Sequence, residues 1–203
     1  MDHLTSEIQQ PHPQESNGAP SNPWALPART QDLGGRGLDE SSLEQWVNAR
    51  LEWQRQQIEQ LLASSSGNRT VENTLPLFDD AVATLSATGS QVSLLDSVYP
   101  GKGVRDKARE LTQRVAEAGT ALSLNREVFL ALAAIDLAGA DPATRHYLSQ
   151  TLLNYRLAGV DKDEATRARL RELSDQATAL SLAFGKNVQE GTNRVEVMNV
   201  SEL

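Results

Sequence analysis

The stretch from Asp141 to Gly191 constrains the fold more than any other part of this 203-residue chain. It reads as two helices and one tight turn. Asp141 is a helix N-cap, and Pro142 sits at the first helical position, where a missing N–H costs nothing. Leu148, Leu152 and Tyr155 form the apolar face of this first helix, and Gly159 supplies a left-handed C-cap. Asp161 and Glu164 stand at capping-box spacing ahead of the second helix. Leu170, Leu173, Ala177, Leu180, Phe184 and Val188 then follow in steps of three and four, which places them on one helix face. From Glu164 to Glu190 that helix is roughly 40 Å long at about 1.5 Å per residue. The short turn predicts an antiparallel pair and makes this hairpin the largest packing surface on offer to the rest of the chain.

Upstream, further helical segments are expected. Ser41 and Glu44 form a capping box for a helix over 41–63, with Leu43, Val47, Leu51, Ile58 and Leu62 along one side and Gln54, Gln56, Gln57 and Gln60 facing out or padding the flank. Thr74 caps the next, with Pro76 in its first turn and Leu75, Phe78, Val82 and Leu85 at helical spacing. Thr88-Gly89-Ser90 reads as a break, followed by a short helical piece over 92–99 and a turn at Pro100-Gly101-Lys102-Gly103. Val104 to Asp136 carries a heptad-like seam through Ala108, Leu111, Val115, Ala118, Leu122, Phe129 and Leu132. Asn125 lies on that seam. It marks a kink, a cap between two helices, or a buried polar contact that fixes register. Residues 1–40 form a separate tail: five prolines and Gly34, Gly35 and Gly37 break any helix, and the polar filler buries too little to offset its ordering entropy. Trp24 and Leu26 stand out in it, either as a short docking motif or as part of a solvated tail. After Gly191, Val195, Val197 and Val200 alternate with polar residues, the pattern of a weak strand. The expected architecture is all-α: a disordered tail over 1–40, then a helical domain over 41–203 of about six helices, two of them long, in an antiparallel array.

Composition narrows the function. A formal net charge of −8 argues against a nucleic-acid backbone as partner. With no cysteine there is neither a disulfide framework nor a thiolate site. The first residues lack the basic and apolar regions of a signal peptide, and no apolar run approaches the ~20 residues of a membrane span. A cytoplasmic protein is therefore expected, and the sequons at Asn68 and Asn199 are read as chance.

The residues offer little chemistry. His3, His12 and His146 have no partner His at helical spacing, so no zincin motif exists. The carboxylate groups Asp79-Asp80, Asp161 with Asp163 and Glu164, and Glu172 with Asp175 read as caps and solvated faces, because adjacent helix positions point apart. Gly101-Lys102-Gly103 lacks the spacing of a phosphate loop, and no GxSxG elbow is present. Arg167, Arg169 and Arg171 lie within helical reach of Glu164, Glu172 and Asp175, which suits ion pairs on a wet face. The residues thus nominate no catalytic, metal or substrate-binding position.

One resemblance goes further. Leu148, Leu152, Tyr155, Arg156, Gly159, Leu170, Leu173, Leu180, Phe184 and Asn187 follow the order of a run "L…L…(F/Y)R.AG…L…L…L…F..N". Glu72-Asn73-Thr74, Leu122-Ser123-Leu124-Asn125-Arg126 and Phe129 add to it. Over about 70–195 the chain resembles the helical N-terminal region of zinc-dependent oligopeptidases of the thimet oligopeptidase and oligopeptidase A type. That resemblance implies a wall of a narrow channel that admits short peptides and excludes folded proteins. It implies a zinc-bearing catalytic region as partner, supplying a zinc-activated water and a Glu base, and continuing beyond Leu203. The family hallmark HExxH is missing, so the resemblance assigns no catalytic residue and no metal to this chain, which is expected to be inactive alone. The alternative is a non-enzymatic helical interaction module that binds a partner helix or itself through an exposed seam such as Val104 to Leu132.

Overall fold

The computed structural model describes residues 38–63 and 69–191. Residues 1–37 of the tail, with His3, His12, Trp24 and Leu26, the asparagines of both sequons and the strand-like pattern after Gly191 lie outside the described residues. Six helices account for nearly all of what is described: α1 (Glu40–Ala63), α2 (Val71–Val98), α3 (Lys102–Ser123), α4 (Arg126–Ala133), α5 (Pro142–Ala158) and α6 (Glu164–Glu190). The all-α fold is as the sequence predicts, with no strand among the described residues. An isolated bridge joins Thr70 to Asp136, closed by the Asp136 N–H donating to the Arg69 carbonyl at 2.9 Å. Four helices, not two, exceed twenty residues.

The core is built by α1, α2 and α3, which pack on one another. Leu43, Val47 and Leu61 of α1, Phe78, Ala81 and Val92 of α2, and Ala108 and Leu111 of α3 are buried there. Short α4 closes the bundle against α1 through Val128 and Leu132, and α5 packs on α4. Tyr155 of α5 is wedged between Phe78 and Phe129, with ring centroids 6.1 Å from each. Arg50, Gln54 and Gln57 of α1 are buried with the core rather than facing out; the Arg50 guanidinium stacks on the Trp46 ring at 3.9 Å, and its burial pulls its pKa down.

Several boundaries differ from the sequence expectation for local reasons. The α1 start is fixed by Asp39 and Ser42, which exchange backbone-to-side-chain bonds at 3.2 and 2.8 Å, while Glu44 is drawn to Lys107 and Arg114 of α3. The cap of α2 is Thr70, one turn before Thr74, because Thr70 and Asn73 form a reciprocal capping box. Pro76 therefore lies inside the helix. No break follows Thr88: Thr84 and Thr88 are buried and turn their hydroxyls onto the carbonyls of Asp80 and Thr84, so α2 runs on to Val98. Asn125 takes the second of its three roles. Its Oδ1 accepts from the Glu127 and Val128 N–H groups at 3.0 and 3.1 Å, capping α4 after α3 has ended. Asp141 caps α5 with Pro142 behind it, and Gly159 ends that helix at φ 98°, both as read from the sequence. The cap of α6 is Asp163, not Asp161, accepting from the Thr166 N–H at 2.8 Å.

The largest correction concerns α6. After the turn it does not pair with α5 but runs along α3. The polar contacts fix its direction as antiparallel to α3. Arg109 reaches Gln189 at 3.1 Å near one end, and Thr120 meets Ser174 at 3.1 Å toward the other.

Candidate docking face

The side of α6 that meets α3 is mostly polar, with half-buried Leu182 its apolar member. The Gln113 amide donates to the Asp175 carbonyl at 3.3 Å, Arg167 donates to the Leu124 carbonyl at 3.3 Å, and Thr178 bonds back to Ser174. No residue of α6 is fully buried. The regular stripe that predicts the packing face instead points outward: Leu180 and Phe184 are each 71% exposed, Val188 58% and Leu173 45%. Only Leu170, at the start of the stripe, turns inward beside Gly159. From Gln176 to Gly185 the helix carries no charge, and Ala177, Ala179 and Ala183 keep it slender. Soluble monomers rarely expose such a row, and an amphipathic helix that turns its apolar face to water marks a surface for another body.

The remaining candidates fall into ordinary roles. His146 is exposed on α5. Among the described residues no group of three or more His, Asp or Glu side chains could hold a metal. Asp79 and Asp80 line a shallow groove of about 560 Å³ between the N-terminal turns of α2 and α5, floored by Val71, Leu75 and Pro76. There the Tyr147 hydroxyl donates to Asp79 at 3.0 Å. Burial, then the bond to Asp79, pushes the Tyr147 hydroxyl up to about 12. These carboxylates are exposed neighbours on one helix, not a pair facing across a cleft. Asp163 and Asp141 are caps, held below the usual carboxylate range by the hydrogen bonds from Thr166 and Thr144. Arg169 pairs with Glu172 at 2.5 Å, and Lys102 with Asp106 at 2.5 Å in the first turn of α3. Gly101 is the α3 N-cap. Tyr155 is the residue that sequence reasoning left as simple core: it is 5% exposed, and its hydroxyl has no hydrogen-bond partner among the described residues. Its place on the buried face of α5 was legible; the fate of its hydroxyl was not.

Fold and face together define an all-helical domain whose last described helix leaves an apolar row exposed. The chain is similar to saccharolysin of Saccharomyces cerevisiae, 27% identical over 107 residues. That match takes in 50% of this chain and 15% of the relative, so the chain spans a small part of the curated protein it resembles. No protein-family model matches it. No helix among the described residues is long and apolar enough to cross a membrane.

Proposed function

We propose that this chain is the N-terminal helical part of a zinc-dependent oligopeptidase and forms a wall of its peptide channel. The similarity to saccharolysin, a metallopeptidase of the thimet oligopeptidase family, carries the reading. The placement of the resembling residues supports it. Leu148 and Tyr155 are core, and Gly159 needs its positive φ. Leu173, Leu180 and Phe184 belong to the same pattern yet face outward, as residues do when a further part of the molecule covers them. The role of the domain is steric: it narrows access so that short flexible peptides enter and folded proteins do not. The described residues do not fit a zinc site, since His146 stands alone on α5. Zinc would be held elsewhere, and no step of hydrolysis is assigned to a residue here. The partners of this reading are short peptides and the catalytic region, within the cytoplasm.

The outward α6 stripe equally favours a second reading, a non-enzymatic module that docks on a helical partner. Mixing experiments separate the two. The chain is combined with a separately produced HExxH-bearing half of a zinc oligopeptidase, and cleavage of a quenched fluorescent peptide is followed. The channel-wall reading expects activity to rise or its length preference to narrow on mixing, and Phe184→Glu to weaken that response. No change on mixing moves the chain to the interaction module.

A further inference from the structure

We propose that the α6 stripe is covered within this chain by its own N-terminal segment, through Trp24 and Leu26. The inference concerns the chain by itself and does not rest on the peptidase reading. Three observations carry it.

The first is where the segment is attached. Leu38 is the first described residue, and it is tied down: the Tyr99 hydroxyl donates to its carbonyl at 2.8 Å, and its side chain packs on the core. Leu38 shares a groove with Val104, while Glu190, at the end of α6, lines a pocket with Lys102 and Arg105. The first turn of α3 thus has the root of the segment on one side and the C-terminal end of α6 on the other. The stripe begins at that same end, with Val188.

The second is reach. The chain from Leu38 back to Leu26 extends up to about 40 Å at ~3.3 Å per residue. From Glu190 to Leu180 is about 15 Å of helix, and crossing one helix adds about 10 Å. The tether therefore suffices with slack.

The third is chemistry. Pro23 and Pro27 bracket Trp24-Ala25-Leu26, and proline disfavours helix in the residue before it, which predicts an extended Leu26. In an extended segment residues two apart project to one side, about 6.6 Å apart. Leu180 and Phe184 are separated by about 6 Å along α6. The segment carries no charge from Ser16 to Ala28, just as α6 carries none from Gln176 to Gly185. In a chain of net charge −8, two uncharged stretches meet without burying a carboxylate. A segment so placed competes with any larger body for α6, and so tunes docking.

The absence of native cysteine makes the test direct. Leu26→Cys is combined with Leu180→Cys in the full chain and oxidised mildly; Leu180 lies outside the core, so the helix tolerates the change. The control pairs Leu26→Cys with Ala49→Cys, an exposed α1 position within reach of the same tether. We expect an intramolecular disulfide at least tenfold faster in the first pair than in the control. Hydrogen exchange of α6 amides gives the second readout: Trp24→Ser with Leu26→Ser should speed it at least fivefold around Leu180. Equal crosslinking rates overturn the proposal. Dominant intermolecular dimers, linked through position 180 of two chains, overturn it in favour of a second copy. Exchange that responds to deletion of 192–203 but not to the Trp24 and Leu26 changes overturns it in favour of the C-terminal residues.

Discussion

Replacing Tyr155 by Phe should make the protein more stable. The ring is 5% exposed and packed between Phe78 and Phe129, and those contacts survive the change. What the change removes is a buried hydroxyl with no hydrogen-bond partner among the described residues. Leaving such a group unpaired costs about 1–3 kcal/mol. Allowing for relaxation around the vacated atom, a gain of about 1 kcal/mol is expected. With a urea slope of about 2 kcal/mol per molar, the unfolding midpoint should rise by roughly 0.5 M at an unchanged slope. The pH dependence gives a second signature. Burial, and then the neighbouring Tyr147, push the Tyr155 hydroxyl above its ordinary range. A raised folded value means the contribution is complete below the unfolded tyrosine pKa, about 10, and is lost as pH climbs from there toward the folded value. Wild type should therefore lose stability more steeply above pH ~10 than Tyr155→Phe. Urea melts of both proteins from pH 7 to 11 measure this. A loss of about 1 kcal/mol or more in the variant would refute the argument by showing that the hydroxyl has a partner, and identical alkaline slopes would refute it by showing that the hydroxyl is solvated.

Other expectations follow from single positions. Asn125→Ala removes the acceptor of two α4 N–H groups and should cost about 1 kcal/mol in urea melts, with hydrogen exchange in α4 speeding up first. Gly159→Ala forces φ 98° on a residue with a Cβ and brings that atom to 2.5 Å from the Leu170 Cδ1; a loss of about 1–2 kcal/mol is expected, seen as a lower Tm. The Asp141 carboxyl is held low by the Thr144 hydroxyl and N–H groups, so its contribution is present above the unfolded carboxylate pKa and fades as pH falls through the folded value. Asp141→Asn should accordingly flatten the acid limb of the stability profile below pH ~4.

The helix inventory was written in the sequence because it depends on neighbours within one turn. The Asp141-Pro142 start and the Gly159 stop are local chemistry, and both stand where the residues indicate. The misplaced boundaries are contests between local signals. Thr70 outcompetes Thr74 because Asn73 answers it, and Thr84 and Thr88 can back-bond and stay helical where a Thr-Gly-Ser run suggests a break. The orientation of α6 was not legible. A 3.6-residue period tells which residues share a face, but not which face meets the bundle. That choice is made by Arg109, Gln113 and Thr120, which lie 54 to 80 residues away in the chain and bind the polar side of the helix.

The most direct test is zinc content and peptide hydrolysis on the same sample of the 203-residue chain. Metal analysis and cleavage of a quenched fluorescent peptide are run together, before and after added zinc. The proposed channel-wall role predicts substoichiometric zinc and no cleavage in both states. Near-stoichiometric zinc with cleavage that a chelator abolishes would contradict it.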